Sequence, residues 1–340
     1  MASSGPFESD SAPPRAAAGT TAAATDLALR QVPDEALVHV ECPLCGIRDS
    51  RLLMHGCDRL FGREGWYRLV ECRSCGMKYV NPRPTEEALV RHYPDDYLPV
   101  KVPDATPTMG QRLGAKIIDL RWLGYMREIE RAIGRISPDA NVVDVGSGLN
   151  EWLVRLERLR GCRGLAVDVN PGVAEHIRTR LRMPVSEGTL LQARVPAGTI
   201  DLVTMNEYLE HEPDPRSVLL EARRISRAGA HLVVEVPYMG GLPSRVFGSC
   251  WSQLDVPRHL AFYSPETLAR MLERCGYRLI HMKPFGAPFS IGISVLQSLG
   301  FKRLGRLRPI DALLIALAGA PFLPFFPWLR EFVLVVARAE

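Results

Sequence analysis

The sequence predicts an α/β fold, a doubly wound, mostly parallel sheet of seven strands, with a small cysteine-rich module in front of it. Three observations carry this. From residue 137 onward, apolar runs of strand length alternate with helical stretches, the pattern that builds a parallel sheet with helices on both faces. The first run, Val142 to Val145, feeds directly into a glycine turn at Gly146 and Gly148 and then a helix. Upstream stand two Cys-x-x-Cys pairs, Cys42/Cys45 and Cys72/Cys75, each followed by glycine.

Composition sets the bounds. The 340 residues are 46% hydrophobic and 24% charged, ordinary for a soluble globular chain. A net charge of +4 is too mild to argue for a nucleic-acid partner. Met1 to Asp10 lacks the basic start and apolar core of a signal peptide, so the expected location is cytoplasmic. In a reducing compartment, cysteines at this spacing serve a metal rather than disulfides.

Taken in order, residues 1–33 are rich in Ala, Ser, Thr, Gly and Pro and read as a disordered tail. Residues 34–84 read as a zinc ribbon: four thiolates on two turns suit a closed, structural, tetrahedral Zn²⁺ site, with a strand-like run from Trp66 to Val70 between them. Cys57 lies between the pairs as an alternative ligand without a knuckle partner. Residues 85–136 read as a helical linker. Thr85 caps a short helix, 94–108 form a Pro- and Asp-rich connection, and 110–135 form a longer helix with Leu113, Ile117, Leu120, Ile129 and Ile133 at helical spacing.

The α/β domain spans 137–340. The helix after the glycine turn is expected to open near Leu149, with Trp152, Leu153, Leu156 and Leu159 on one side. A second strand, Leu165 to Val167, ends in Asp168, placed to accept hydrogen bonds from ribose hydroxyls. Asn170-Pro171 caps the next helix. Thr199 to Met205 is the fourth strand, and Asp214-Pro215 opens a helix expected to end at Gly229. His231 to Val236, Tyr277 to Met282 and Phe332 to Ala337 complete the sheet, with a helix from Ser264-Pro265 to Gly276.

The pattern D-x-G-x-G at Asp144, Gly146 and Gly148 resembles motif I of the class I S-adenosylmethionine (SAM) dependent methyltransferases, although Asn150 stands where that family usually has glycine. Asp168 matches the family's acidic residue after the second strand. Gly188-Thr189-Leu190 resembles its adenine-lining turn, and Asp201 to Pro215 its fourth-strand motif. Gln253 to Ser264 resembles a signature of the zinc-ribbon-bearing branch, and the resemblance covers residues 42–340. It implies a Rossmann-like fold binding SAM through Asp144, Gly146, Ser147, Gly148, Asp168, Val169, Thr189, Leu190, Asn206 and Glu207.

Methyl transfer from a sulfonium is an in-line displacement, so the protein mainly positions its reactants. An oxygen nucleophile also needs a proton removed, and histidine suits that task. His259 and His211 are the two candidates. Asp255 is expected to orient the His259 ring and Arg258 to hold an anionic substrate group; the competing reading makes Asp255 and Arg258 a structural ion pair. Glu207, Glu210 and His211 would share one face of a helical turn. Some ubiquinone-type O-methyltransferases carry such a cluster around a divalent cation, here Mg²⁺, but the favoured reading is that it braces the following helix.

Residues 284–301 and 312–329 are uncharged and apolar, reaching the ~18 residues that flag a membrane span. Their prolines argue against spanning. The expected role of 284–330 is a helical cap before the last strand that lines a pocket for a lipophilic substrate, with peripheral membrane contact as a further possibility. The sequence sets no oligomeric state. The expected activity is methyl transfer from SAM to a small molecule, at oxygen. The alternatives are C-methylation of a nucleotide sugar, RNA methylation, and a non-catalytic SAM-binding partner protein.

Overall fold

The computed structural model describes residues 36–93, 109–149, 152–304 and 309–340. The expected tail 1–33, the connection 94–108 and Asn150 lie outside the described residues. The chain runs β1 (Leu37–Val38), β2 (Ser50–Gly56), β3 (Tyr67–Cys72), β4 (Lys78–Val80), β5 (Arg83–Pro84), α1 (Glu86–Val90) and α2 (Met109–Ile133). Then come β6 (Asn141–Val145), α3 (Trp152–Arg160), β7 (Arg163–Asp168), α4 (Pro171–His176), β8 (Val185–Glu187), β9 (Ile200–Asn206) and α5 (Pro215–Ile225). The last part is β10 (Ser226–Pro237), α6 (Leu242–Phe247), β11 (Ala261–Phe262), α7 (Pro265–Arg274), β12 (Tyr277–Phe285), α8 (Pro288–Ser298), α9 (Pro309–Gly319) and β13 (Phe332–Ala339).

Seven strands form the main sheet in the order β12-β13-β10-β9-β6-β7-β8. Five of them, β8 to β10 through β6, run parallel, while β13 pairs antiparallel with both β10 and β12. The side-chain period of two splits the strands between faces. Val143 and Val145 face α5 and α7, with Leu219, Ala222, Leu268 and Leu272. Val142 and Ala166 face α2 and α3, with Trp122, Ile129, Trp152 and Leu156. Both faces are therefore covered, as a parallel sheet requires.

Local signals place most helix ends. Thr85 accepts from the Ala88 N–H to start α1. Asn170 caps α4, and Ser264 and Thr267 form a capping box on α7. Two expectations are corrected. Leu159 is 43% exposed, so the buried stripe of α3 stops at Leu156. Helix α5 ends at Ile225, not Gly229: Ser226 already pairs with Ile200, and the strand slips register between Ser226 and His231, where Gly229 takes a φ of 77°.

The cysteine-rich module is a four-stranded antiparallel sheet in the order β11-β4-β3-β2. Its outer strand, β11, comes from the far end of the chain, with Ala261 opposite Tyr79 and Phe262 opposite Lys78. The module also docks on α7, where Arg274 donates to the Leu44 carbonyl at 2.5 Å and Arg270 to that of Cys75. Just before β11 sits Arg258, fully buried. It donates to both oxygens of Asp58, in the β2–β3 connection, at 2.8 and 2.9 Å. It also donates to both oxygens of Asp255 at 2.6 and 2.9 Å, and to the His92 carbonyl at 3.1 Å. The guanidinium stacks over the Phe61 ring, 4.9 Å from its centroid.

Removing the cation from this cluster leaves two buried carboxylates facing each other, and breaking a buried ion pair typically costs about 3–5 kcal/mol. Arg258→Met should lower the unfolding free energy measured by urea denaturation by that order, whereas a surface pair such as Arg48–Glu41 should contribute less than about 1 kcal/mol. An Arg258→Met variant with wild-type denaturation would remove the cluster from the fold's supports.

Candidate functional site

The glycine turn forms at the carboxyl end of β6. Gly146 and Gly148 take φ angles of 67° and 53°. Gly146 N–H donates to the Val167 carbonyl at 2.9 Å, and the Ser147 hydroxyl donates back to the Asp144 carbonyl at 2.8 Å. A side chain on Gly146 would strike the Tyr208 ring, so the position demands glycine twice over. Asp168 closes the turn: one oxygen accepts the Gly148 N–H at 2.8 Å and the other the Asn170 N–H at 2.9 Å. Burial raises its carboxyl above the ordinary value.

Asp144 lies beneath the turn rather than on it. It accepts from the Thr204 hydroxyl at 2.5 Å, linking β6 to β9, and burial pushes it up to about 7. Asn206 reaches the same oxygen at 3.5 Å and accepts from the Tyr125 hydroxyl. Val169 is exposed just past the carboxyl end of β7. Thr189 sits in the next turn, its N–H held by Gln192 at 2.8 Å. The Leu190 side chain is wholly buried in the core, which leaves its backbone to face outward.

Sequence reasoning missed the contribution of α2. Arg121 donates to Glu235 at 2.7 Å and to Glu207 at 3.2 Å. Trp122, Tyr125 and Trp152 pack edge-to-face or tilted within 5.4 Å of one another. Burial pushes Glu235 up to about 7. A signal existed: Glu235 is a lone charge within the apolar run of β10, where a charge is costly unless used.

Past β9 the chain turns sharply, with Glu207 at a φ of 49°. The expected helical face of Glu207, Glu210 and His211 does not form. Glu207 goes to Arg121, while Glu210 and His211 meet His259, the three offering ligand atoms within 4.8 Å of one another. The two imidazoles lie edge-to-face, 4.5 Å between centroids. His259 Nδ1 sits 2.8 Å from the Gln253 carbonyl, and His211 Nδ1 3.1 Å from the Arg258 carbonyl. A carbonyl can only accept, which assigns the proton to Nδ1 and the lone pair to Nε2 in both rings. The Tyr93 hydroxyl also touches His211 Nδ1, at 3.0 Å.

Burial pushes His211 down to about 3 and His259 down to about 4, so both are neutral at physiological pH. Glu210 is 1% exposed and neither carboxylate oxygen has a hydrogen-bond partner among the described residues. Burial raises its carboxyl well above the ordinary value. Two expectations fail here. Asp255 does not orient His259, because both its oxygens are taken by Arg258. Arg258 is fully enclosed and cannot reach an anionic substrate.

In the ribbon, Cys42 and Cys75 Sγ lie 3.4 Å apart, and Cys45 and Cys72 3.5 Å. Tetrahedral Zn–S bonds of about 2.3 Å need S–S edges of about 3.8 Å, so the donor set fits zinc after a small expansion. Burial raises Cys42 and pushes Cys75 up to about 11, which makes these two poor thiolates without a cation. Cys57 does not join the group.

Residues 120–282 match a methyltransferase-domain family model. The chain carries a class I SAM-dependent methyltransferase domain. The ubiquinone biosynthesis O-methyltransferase of Cupriavidus pinatubonensis (strain JMP 134) is 29% identical over 175 residues, covering 47% of this chain and 67% of that protein. Among solved structures, geranyl diphosphate methyltransferase in complex with SAM is 17% identical over 70% of this chain and 93% of its own, at a TM-score of 0.49. The geranyl diphosphate C-methyltransferase of Streptomyces coelicolor A3(2) is 15% identical over 73% and 89%, also at 0.49.

Asp168→Ala should weaken SAM binding by about 1.5–3 kcal/mol, the range for a hydrogen bond to a charged group, read by calorimetry. Wild-type affinity in that variant would remove Asp168 from the cofactor site.

Proposed function

We propose that this methyltransferase acts on an oxygen of a lipophilic small molecule, with His259 as the general base and His211 beside it. The observation that carries the reading is the convergence of Glu210, His211 and His259 at the carboxyl edge of the sheet. Each ring proton is committed to a backbone carbonyl, which leaves two neutral Nε2 lone pairs to take a proton. SAM would lie across Gly146, Gly148 and Asp168. Unpartnered oxygens on Asp144, Glu210 and Glu235 make the surroundings favourable for its sulfonium and ammonium charges. The acceptor oxygen attacks the methyl carbon as the C–S bond breaks, and its proton passes to His259. Similarity to a ubiquinone biosynthesis O-methyltransferase supports oxygen over carbon.

A second reading has its own observation. Two imidazoles and an unpartnered buried carboxylate suit a divalent cation such as Zn²⁺ or Mn²⁺ better than the all-oxygen preference of Mg²⁺. A cation there would acidify a bound hydroxyl. Dependence of turnover on added metal, beyond the ribbon's own, would favour it.

The four ribbon cysteines would hold one structural zinc. Elemental analysis should give about one zinc per chain, and Cys42→Ser should lose it. Because β11 extends the ribbon sheet just after His259, loss of zinc should lower kcat while SAM affinity stays close to wild type. A Cys42→Ser protein with full metal content would sink this assignment.

His259→Ala should lower kcat by about 10²–10⁴-fold, the usual contribution of a general base, with little change in SAM affinity. The acceptor comes from a metabolite screen with labelled SAM and mass spectrometry of the product. His259→Gln should be equally slow. A base pushed down to about 4 is active when unprotonated, so the rate should rise with pH through that region and stay flat above it. Full kcat in His259→Ala would move the role to His211.

A further inference from the structure

The cap contains a helix that does not match its surroundings. Helix α9 and the 3₁₀ segment that continues it, Ala320–Trp328, carry one charge, Asp311, and that side chain is buried. The inner side of α9 is ordinary core: Ile315 packs with Ile293, Leu296 and Leu304. Its backbone presses so closely on α8 that a side chain on Gly292 would strike the Ile315 carbonyl. The outer side is equally apolar and faces water. Leu313 and Leu317, one turn apart, are 53% and 61% exposed, and Phe325 and Trp328 follow at 59% and 72%. Leu299 and Phe301 extend the exposed apolar surface at the end of α8. A helix apolar all round belongs in a core or against lipid, and a patch of this kind marks an interaction surface.

Charge decides what covers it. Residues 284–330 hold five basic residues, Lys302, Arg303, Arg306, Arg308 and Arg330, against Asp311 alone. Lys302, Arg303 and Arg330 are exposed; Arg306 and Arg308 lie outside the described residues. A second copy docked through a two-fold axis would set this basic patch against itself. An anionic bilayer surface would complement it. The element cannot cross that bilayer. No described helix is long and apolar enough to do so, and α9 spans only about 16 Å against a hydrocarbon core of about 30 Å. An exposed tryptophan closing an apolar segment, with the exposed Arg330 two residues on, suits a segment lying in the interface.

We infer that the exposed apolar surface of the cap, at Leu299 and Phe301 and from Leu313 to Trp328, seats this enzyme on anionic membrane surfaces. The test uses the full chain and vesicles of phosphatidylcholine with and without about one-third phosphatidylglycerol. The protein should sediment with the anionic vesicles and at least ten-fold less with the neutral ones. Emission from Trp328 should shift to the blue and be quenched by brominated acyl chains. Trp328→Phe should lose the quenching while binding persists. Leu317→Glu/Phe325→Glu should weaken sedimentation at least ten-fold, and Lys302→Glu/Arg303→Glu should erase the preference for anionic lipid. All variants should keep SAM affinity, which shows that they are folded. Equal sedimentation of the wild type and Leu317→Glu/Phe325→Glu, or none with any vesicle, would overturn the inference. So would protein-concentration-dependent shielding of Trp328 without vesicles, which would make the face a contact between copies.

Discussion

Arg258 ties the ribbon to the loop that supplies its outer strand. A guanidinium removed from water needs its charge and its donors satisfied, and here two carboxylates from distant parts of the chain do it. Asp58 belongs to the ribbon, Asp255 to the loop before β11. The backbone between them completes the ribbon's sheet and presents His259, while the Arg258 carbonyl takes the His211 ring proton. One buried cation thus fixes the ribbon, the loop and the tautomer of a ring in the site. Salt should barely weaken it, since no solvent reaches the pair.

This arrangement gives the ribbon a mechanical task. Its metal-binding turns lie against α7, not against the glycine turn. What they stiffen is a β-edge whose final strand is borrowed from the segment carrying His259. Zinc, where bound, would act on the chemistry only through backbone hydrogen bonds.

Much of this was legible in the sequence. The strand–turn–helix at Val142 to Gly148, the acidic end of β7, the capped starts of α1, α4, α5 and α7 and the paired cysteines are local features, and local chemistry fixed them. What was hidden depends on contacts between distant residues. Nothing near Ala261 announces that it pairs with Tyr79, and nothing near Arg121 announces Glu235. Asp255 was misassigned for the same reason: its neighbour Arg258 was visible, but not the burial that makes the pair structural. The inward turn of the Leu190 side chain was hidden too, because a turn residue can point inward as readily as outward. The helical reading of Glu207 to His211 failed because the chain leaves β9 through a left-handed residue.

The neck of the cap has a separate consequence. Residues 286–331 leave and re-enter the sheet at Phe285 and Phe332, which are direct cross-strand partners with rings stacked 5.6 Å apart. The Glu331 N–H closes the neck on the Phe285 carbonyl at 2.7 Å. Once such a neck is shut, loop-closure entropy grows only slowly with what hangs from it, about 0.6 kcal/mol per doubling of length. The root of the cap is bound more tightly: Glu331 accepts from Trp251 Nε1 at 3.1 Å, and Ser294 accepts from the Ser252 N–H at 2.9 Å. Length can change in its outer stretch without disturbing the pairing of β12 with β13, whereas Ser290, Ser294 and Glu331 stay tied to the segment that leads to His259.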